Sequence, residues 1–467
     1  MPTMTETHLK EFLKSIKDRP LEPNSPLYVS HFQEDNDPIK ELYHHITRDD
    51  DNQSIALLSG FRGNGKSTEL RRLKKLLEAK QYIVLLCDME PFFDEYEPVD
   101  VTDFLISVAL ALNETVKHQS GKDFLQESYW ERFSNYLRTE LELENVGSEA
   151  HGFLISLVKE PVLKKRLQHA LSTKLETFVK EMRNFFSSIR TFLQKHENKQ
   201  MVLLLDSFEK IRGIGENAHK IHESVDDLFR RHIDDKLQLP NWHVVYTVPP
   251  YVTSISSPGL GICTFLPSVH IFNKDDSTDN GGIAIMKDWH VVYTVPPYVT
   301  SISSPGLGIC TFLPSVHIFN KDDSTDNDGI VIMKEVIKRR FENWQQVFTD
   351  AQIERIILAT AGSFRVFFRL IRAVLLKVPE KNQLIEVPVA DRFLERAEND
   401  FFRDMTFLLP TEDRLWLKKI DSSRKSETPK ETDKLVLMKF MDKDWVFLYH
   451  NGEAWFGINP LLKKALD

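Results

Sequence analysis

Cysteine, long apolar runs and surplus positive charge are all scarce in this chain. Its 467 residues include three cysteines, Cys87, Cys263 and Cys310, and no pair has the spacing of a metal site or a disulfide framework. The longest largely apolar run, Phe104 to Leu112, has nine residues, far fewer than a membrane-spanning helix needs. The N-terminus also lacks the apolar stretch of a signal peptide. These absences predict a cytoplasmic protein without a membrane segment.

The overall charge favours no polyanionic partner. The net charge is -9 and the pI is near 6.0, so the chain as a whole does not attract nucleic acid or an anionic membrane. Hydrophobic residues make up 41% and charged residues 28%, as in soluble globular proteins. At this length we expect two or three domains, each with its own core.

A strand, a glycine-rich loop, a helix and a second strand follow one another early in the chain. The apolar run Ser54 to Ser59 predicts a buried strand, and leucines at helical spacing predict a helix from Lys66 to Ala79. The run Ile83 to Leu86 predicts the next strand, which closes on Cys87 and Asp88. This βαβ pattern predicts an α/β fold in which helices flank a parallel sheet.

The loop in this unit, GFRGNGKS at residues 60–67, matches the phosphate-binding pattern G-x-x-x-x-G-K-S. Its glycines would let backbone N–H groups and the start of the following helix surround a phosphate. We expect Lys66 to reach the β- and γ-phosphates, Ser67 to bind Mg²⁺ and Thr68 to contact the α-phosphate. The predicted nucleotide-binding residues are Gly60, Arg62, Gly63, Asn64, Gly65, Lys66, Ser67 and Thr68.

A third apolar run, Met201 to Leu205, ends on Asp206 and predicts a strand whose carboxylate lies beside the phosphate loop. Asp206 is therefore the second predicted Mg²⁺ ligand, although such an aspartate can also be an ordinary strand end or a helix cap. The next residue is Ser207, at a place where a catalytic carboxylate often stands. Glu209 is the nearest residue that could orient a water molecule, and a solvated glutamate in the first turn of the next helix is the alternative.

The segment from Trp242 to Lys287 recurs as Trp289 to Lys334, with a period of 47 residues and 44 of 46 positions identical. Two units are too few for a solenoid, which needs about three or more stacked repeats. A late tandem duplication explains the pattern, and a sequence-assembly artefact is the alternative. We expect the first copy to supply the strand beside Met201 to Asp206, and the second copy to supply the strand that leads into the following helices. In the other arrangement, one complete copy lies outside the sheet.

Four motifs occur in the order Walker A, Walker B, sensor 1 and sensor 2, namely GFRGNGKST, LLLDSFEK, HVVYTVPPY and GSFR at residues 362–365. With this order the chain resembles the AAA+ and STAND ATPases, in particular the origin-recognition initiator branch and related bacterial ATPases. The resemblance implies ATP and Mg²⁺ as ligands. It also implies Thr247, or its copy Thr294, as the sensor 1 residue, and Arg365 as the sensor 2 arginine of a helical lid. A strand-end hydroxyl and a solvent-facing helix residue are the alternatives for Thr247 and Arg365.

The chain departs from the family pattern in two places. No arginine occurs between Arg231 and Arg339, so the nearby candidates for the family's arginine finger are Arg230, Arg231, Arg339 and Arg340. The 140 residues between Lys66 and Asp206 exceed what the family's core requires, which predicts a helical insertion at about residues 113–199. We therefore expect hydrolysis to be slow or to depend on a partner.

The predicted organisation has four parts. They are an N-terminal linker (1–37), a P-loop ATPase core (38–334) containing the insertion and the duplication (242–287 and 289–334), a helical lid (335–390) and a winged-helix-like domain (391–467). In the last part, Lys434 to Phe440 predicts a strand and Asn451-Gly452 a hairpin turn. Residues 411–467 hold 11 Lys/Arg and 10 Asp/Glu, so this module offers DNA few surplus positive charges. Packing on the core, or contact with another protein, is favoured.

These features predict an ATP-dependent switch, and the resemblance implies bacterial signalling or defence as its setting. A DNA-associated loader or clamp ATPase is one alternative, and a nucleotide-binding scaffold without hydrolysis is another. We expect the partner to be an unidentified protein or a second copy of the chain. The charge does not support DNA, and nothing in the sequence indicates a membrane.

Overall fold

A computed structural model describes most of the chain outside the duplicated segment. The described residues are 3–17, 19–30, 32, 37–48, 53–120, 128–142, 150–194, 199–211, 217–233, 235–249, 251–252, 263–264, 309–312, 316–320, 324–379, 384–407, 409–423, 431–451, 453–463 and 465–466. No helix in this part of the chain has both the length and the apolar character to cross a membrane.

The elements are numbered along the chain. The strands are β1 (Thr3–Thr5), β2 (Ser54–Ser59), β3 (Ile83–Asp88), β4 (Met201–Asp206), β5 (His243–Val248), β6 (Cys263–Thr264), β7 (Ile309–Phe312), β8 (Leu384–Glu386), β9 (Val446–Asn451) and β10 (Glu453–Ile458). The helices are α1 (Glu6–Ser15), α2 (Pro38–Arg48), α3 (Lys66–Glu78), α4 (Val101–Ser120), α5 (Ser128–Glu140), α6 (Ala150–Lys159), α7 (Pro161–Leu171), α8 (Leu175–Leu193), α9 (Ala218–His232), α10 (Asn327–Arg340), α11 (Trp344–Val347), α12 (Asp350–Ala359), α13 (Phe364–Leu375), α14 (Asp391–Thr406), α15 (Thr411–Ser423), α16 (Glu431–Asp442) and α17 (Pro460–Lys463).

A parallel sheet lies at the centre of the core, and its described strands run in the order β3-β4-β5-β2-β7-β6. Alternate residues of β2 point to opposite faces of the sheet and belong to different hydrophobic clusters. Ile55 and Leu57 pack with the inserted helices, and Ala56 and Leu58 pack with α2 and α3. Because both faces of the sheet are covered, its strands are continuous apolar runs rather than alternating ones. The predicted α/β fold with a parallel sheet flanked by helices is therefore correct.

The order of the strands determines which residues meet at the carboxyl edge of the sheet. β5 lies between β2 and β4, so the strand that precedes the phosphate loop and the strand that ends on Asp206 both border β5. Thr247 of β5 is in register with Leu58 of β2. Ligands of such open α/β sheets bind beyond the carboxyl ends of the strands.

The helices α4 to α8 lie between β3 and β4 in the chain. Their apolar residues join the largest core cluster of the molecule, together with one face of the sheet. A buried ion pair fastens α7 to α4, with Lys164 Nζ at 3.1 Å from an Asp103 carboxylate oxygen. Asp103 also accepts a hydrogen bond from the Gln168 side chain at 2.8 Å. This region is helical where the structure describes it, and its first helix begins at Val101, before the predicted insertion at 113–199.

The two copies of the duplicated segment contribute different strands. β5 comes from the first copy and pairs with β4, whereas β7 comes from the second copy and pairs with β2. The short β6, again from the first copy, pairs in parallel with β7, so that Cys263 is opposite its own copy Cys310. This is the predicted split arrangement. The region 291–294, whose placement beside β4 would have contradicted it, lies outside the described residues.

The N-terminal residues do not form the predicted linker (1–37). β1 pairs antiparallel with β8, and α1 packs into a hydrophobic cluster formed by α10 to α14, which includes the predicted helical lid (335–390) and is called the lid below. Phe12 of α1 stacks on Phe341, with ring centroids 4.3 Å apart. α1 has an apolar face at helical spacing, formed by Leu9, Phe12, Leu13 and Ile16. Polar residues between these positions make the face difficult to recognise in the sequence. The chain therefore enters the lid before it enters the core.

The C-terminal module consists of α15, α16, the antiparallel hairpin β9–β10 and α17. The predicted strand Lys434 to Phe440 is wrong, because these residues belong to α16. Leu437, Met438, Phe440 and Met441 are buried at helical spacing, and a short apolar run does not by itself distinguish strand from helix. The hairpin lies where the sequence predicted it, and the assignment as a winged helix stays a prediction.

This module packs against the domain built on the parallel sheet and shares its main hydrophobic cluster. Phe447 of β9 meets Phe61 of the phosphate loop edge-to-face, with ring centroids 5.5 Å apart. At a second contact, His222 Nε2 of α9 and a carboxylate oxygen of Asp442 are 2.6 Å apart, and both side chains are buried. The module thus contacts the core both at the phosphate loop and at the helix between β4 and β5.

Candidate functional site

The phosphate loop adopts a backbone conformation that depends on glycine. Gly63 and Gly65 have φ angles of +87° and +88°, in the left-handed region that residues with a Cβ rarely adopt. Gly65 is the N-cap of α3, so the first turn of this helix follows the loop directly. The first N–H groups of a helix have no intrahelical acceptor, and they carry the positive end of the helix dipole. The loop is therefore suited to an anion.

Lys66 is buried at the start of α3, and its ammonium group lies inside the loop. Its Nζ donates hydrogen bonds to the carbonyl oxygens of Gly60 at 2.7 Å and Phe61 at 2.9 Å. It is also 3.4 Å from Glu209 Oε1. Burial lowers the pKa of Lys66, and the negative charges of Glu209 and Asp206 oppose that shift. The loop thus holds a buried cation between its own carbonyls and the acidic edge of the sheet.

Asp206 ends β4 within reach of the first turn of α3. Burial, together with the negative charge of Glu209, raises the pKa of Asp206 to about 6, while a hydrogen bond from the Ser67 hydroxyl opposes the shift. Its Oδ1 also accepts a hydrogen bond from the Ser207 N–H at 2.8 Å. Ser207 has φ of +76°, an uncommon conformation for a residue other than glycine. This turn directs the chain after β4 back toward the loop.

Glu209 lies in the 3₁₀ turn Phe208–Lys210 and is buried rather than solvated. Burial raises its pKa, but the Lys66 charge and the Thr247 hydroxyl more than offset this effect, so the pKa lies below its ordinary value. The Thr247 hydroxyl lies close enough to the Glu209 carboxylate to lower its pKa, although neither Thr247 Oγ1 nor Glu209 Oε2 makes a hydrogen bond of full geometry with the described part of the chain. Buried polar atoms without a partner are uncommon and costly, so both atoms are suited to a ligand or a water molecule.

Arg365 is the second residue of α13 and lies directly on the phosphate loop. A Cβ atom added to Gly63 would be 2.3 Å from Arg365 Cβ and 3.3 Å from its Nε. The guanidinium charge also contributes to the lowered pKa of Lys66, after the larger effect of burial. The lid therefore places a second cation next to Lys66. The alternative of a solvent-facing residue does not describe this half-buried side chain.

Most of the predicted site residues come together in one place. Lys66, Ser67, Asp206, Glu209 and Thr247 converge at the carboxyl edge of the sheet, and Arg365 covers the loop. Gly60, Arg62, Gly63, Asn64 and Gly65 form the loop itself, and Asn64 is buried within it. The Thr68 hydroxyl accepts a hydrogen bond from the Leu21 N–H at 3.0 Å, and its contact with the α-phosphate stays a prediction. The roles of all these residues stay predictions.

The four arginine-finger candidates all have structural partners. Arg230 and Arg231 pair with Asp226 and Asp227 one turn earlier in α9. Arg339 pairs with Glu335 and donates to the Tyr28 carbonyl, and Arg340 donates to the Ser15 carbonyl at 2.9 Å. The latter two therefore hold the N-terminal residues against the lid. The contacts of Arg339 and Arg340 with Tyr28 and Ser15 could not be predicted from the sequence, because these partners lie 311 and 325 residues away in the chain.

The residues present fit a nucleoside triphosphate with a divalent cation. Oxygen ligands suit Mg²⁺, and the Ser67 hydroxyl and the Asp206 carboxylate provide two of them side by side. Lys66 and Arg365 supply positive charge for phosphate oxygens, and a Cβ added to Gly65 would meet no atom within 4 Å, so the loop is open there. The buried oxygens of Glu209 and Thr247 complete the polar lining.

The fold and the site together define a P-loop nucleotide-binding protein. A search of solved structures finds a Walker-type ATPase of Pyrococcus abyssi, at 15% identity and a TM-score of 0.41, covering 97% of this chain and 99% of that one. The Aeropyrum pernix ORC1 protein in complex with DNA is similar at 12% identity and a TM-score of 0.30, with coverages of 92% and 91%. A variant of Thermotoga maritima RuvB gives 13% identity, a TM-score of 0.33 and coverages of 93% and 94%.

The resemblance to AAA+ ATPases of the origin-recognition branch rests on the order of the motifs in the sequence. No protein-family model matches the chain, and a search of curated proteins finds no match. The class stated above rests on this chain's own phosphate loop, strand order and acidic sheet edge.

Proposed function

We propose that this protein binds Mg²⁺-ATP at the phosphate loop, hydrolyses it slowly or with the help of a partner, and acts as a nucleotide-dependent switch. One observation carries the proposal. Buried Glu209 lies between Lys66 and Thr247, with one carboxylate oxygen 3.4 Å from the Lys66 ammonium and the Thr247 hydroxyl close enough to lower its pKa. A buried, ionised carboxylate next to a phosphate-binding lysine is suited to orient a water molecule toward a γ-phosphate.

Each residue of the site has a part in this proposal. Lys66 and the loop N–H groups hold the β- and γ-phosphates, and Ser67 and Asp206 hold the cation, which would neutralise charge on the phosphates. Glu209 orients the attacking water and accepts its proton, and Thr247 fixes the position of that water or of the γ-phosphate. Arg365 carries the state of the phosphates to the lid, because it belongs to α13 and lies on Gly63.

We expect slow ATP turnover because of how the arginine-finger candidates near the site are paired. Arg230 and Arg231 are the candidates on α9, and both are occupied by acidic partners. A second copy of the chain or another protein would then complete the site with its own positive charge, which is worth a large factor in rate when it meets the transferring phosphoryl group. The setting that the motif resemblance implies is bacterial signalling or defence.

Phosphate release and nucleotide affinity, measured for four proteins, test the proposal. We expect Lys66→Ala to weaken ATP binding and abolish turnover, and Glu209→Gln to retain binding while turnover falls by roughly 10²-fold or more. Lys80→Ala, an exposed position after α3, is the matched control and should behave like the wild type. A wild-type rate no higher than that of the Lys66 and Glu209 variants would instead establish a nucleotide-binding scaffold without hydrolysis.

The C-terminal module bears on the alternative of a DNA-associated loader. Its aromatic residues Trp445, Phe447, Trp455 and Phe456 are buried, so they are not available for stacking on bases. The near-neutral charge of this module and its contact with Phe61 favour a protein-contact role at the phosphate loop. Duplex DNA should therefore leave the ATPase rate unchanged. DNA binding that depends on salt and stimulates turnover would favour the loader.

A further inference from the structure

Residues 19–30 form a segment with two tight turns that lies along α3, and we refer to them as the strap. Four contacts attach the strap to one side of this helix. Leu21 N–H donates to the Thr68 hydroxyl at 3.0 Å, and the Tyr28 hydroxyl donates to Glu69 Oε1 at 2.9 Å. Glu22 pairs with Arg71 at 2.5 Å, and the Asn24 side chain accepts a hydrogen bond from Lys75. The first two contacts involve the residues directly after Ser67.

The same strap is also attached to the lid. Arg339 of α10 donates a hydrogen bond to the Tyr28 carbonyl oxygen, and the neighbouring Val29 packs against the hydrophobic core of the lid. Tyr28 therefore joins two bodies. Its side chain is bound to the helix that begins with Lys66 and Ser67, and its backbone is bound to the lid.

The partner of the Tyr28 hydroxyl is held rigidly in place. Glu69 is 2% exposed, and its second carboxylate oxygen accepts a hydrogen bond from Arg72 Nε at 2.7 Å. Arg72 in turn is paired with Asp37 at the start of α2. A buried carboxylate with fixed partners gives the strap a defined anchor, since a hydrogen bond to a charged acceptor is stronger than one between neutral groups.

The lid carries Arg365, and this residue lies on Gly63 of the phosphate loop. We propose that Tyr28 is a positioning residue: by joining α3 to the lid, it sets the distance at which Arg365 meets the phosphate loop. The inference deepens the proposed function and rests on it. Tyr28 does not itself contact the loop, so its effect on turnover passes through Arg365.

A double-mutant cycle with Tyr28→Phe and Arg365→Ala tests this inference. The Phe variant retains the ring and the backbone bond to Arg339 but loses the bond to Glu69. We expect it to lower kcat about 10-fold or more, as for the loss of one hydrogen bond to a charged group. In the Arg365→Ala background, the same change should have no further effect on kcat. Additive effects of the two substitutions would overturn the inference, because they would show that Tyr28 acts independently of Arg365.

Hydrogen exchange of the lid helix, residues 364–375, provides a second readout that requires no nucleotide. Exchange there should become faster in Tyr28→Phe, because the strap then holds the lid less firmly. Tyr82→Phe is the matched control, since the Tyr82 hydroxyl donates to the Ile46 carbonyl of α2 within the core. Equal exchange in both variants would overturn the inference. Because this measurement is independent of turnover, it distinguishes a failure of the inference from a failure of the proposed ATPase activity.

Discussion

Gly63 and Gly65 have the same left-handed backbone but different surroundings. A Cβ at Gly63 would overlap Arg365, at 2.3 Å from its Cβ, whereas a Cβ at Gly65 would meet nothing within 4 Å. An alanine at either position would be strained by the positive φ angle, but only an alanine at residue 63 would also overlap a neighbouring residue. Their comparison measures how closely the lid packs on the loop.

We expect Gly65→Ala to lower the free energy of unfolding by about 1–2 kcal/mol, from backbone strain alone. Gly63→Ala should cost about 1–3 kcal/mol more, because Arg365 and the lid must move away. Urea denaturation of both variants without nucleotide measures the difference. Equal destabilisation of the two would mean that Arg365 does not pack on Gly63 in solution.

The contiguous loop motif allowed its residues to be predicted one by one, because their spacing alone determines the local geometry. Glu209 could be named only as a candidate. Its contact with Lys66 depends on how the turn after β4 folds back, and the left-handed Ser207 that produces this turn has no signature in the sequence. Tyr28 could not be predicted at all, since its partners Glu69 and Arg339 lie far from it in the chain.

At the scale of elements, α2 is fastened to the phosphate-loop helix by charged groups that are partly removed from water. Asp37 caps the start of α2, accepting a hydrogen bond from the Ile39 N–H at 3.0 Å, and it is paired with Arg72 of α3.

Glu41, one turn into α2, is half-buried near Asp37. Burial, with the charge of Asp37, raises the pKa of Glu41 to about 7. The folded state therefore binds a proton at Glu41 that the unfolded chain releases near pH 4.5.

The sign of the resulting pH dependence follows from this raised pKa. The folded protein loses stability as the pH rises from about 4.5 to 7, because the buried carboxyl is then forced to ionise. Glu41→Gln removes the penalty, so at pH 8 we expect this variant to be more stable than the wild type by about 1 kcal/mol, after allowance for solvent screening. At pH 4.5 the two should be equally stable.

Urea denaturation of both proteins at the two pH values checks this expectation. Glu78→Gln, at the exposed end of α3, serves as the control and should leave the pH dependence of stability unchanged. If Glu41→Gln were no more stable than the wild type at pH 8, Glu41 would be ionised in the fold without penalty, and α2 would be less closely packed than described.

The elements of the sheet could be predicted closely because buried parallel strands are short apolar runs between turn residues, as in β2 and β4. The same rule failed in the C-terminal module, where α16 has an apolar run of similar length. The N-terminus was also predicted wrongly, because Pro20, Pro23 and Pro26 suggest a linker, although the strap that contains them is a packed element with two turns. In both places the structure depends on tertiary contacts, which the local sequence pattern does not reveal.

At the scale of the whole molecule, the duplication provides more strands than the ATPase sheet requires. β5 of the first copy and β7 of the second occupy the two positions beside β2, and β6 adds a two-residue strand at the outer edge. One complete copy contains both a β5 sequence and a β7 sequence. Removing residues 262–308 or residues 242–288 gives the same shortened chain, because the two copies are identical over the positions exchanged.

We expect this shortened chain of one repeat to fold and to bind nucleotide with the affinity of the full-length protein. It retains β5 and β7, and the connection between them falls from 60 residues to 13, which lowers the entropic cost of closing it by about 1 kcal/mol. The loss of β6 offsets part of this gain, since the edge of β7 then has no pairing strand.

The two proteins can be compared by thermal unfolding and by ATP titration. Lys66→Ala in both backgrounds is the control for specific binding. A shortened chain that aggregates or loses affinity would show that the sixth strand protects the edge of the sheet, and the duplication would then be part of the working fold rather than an addition to it.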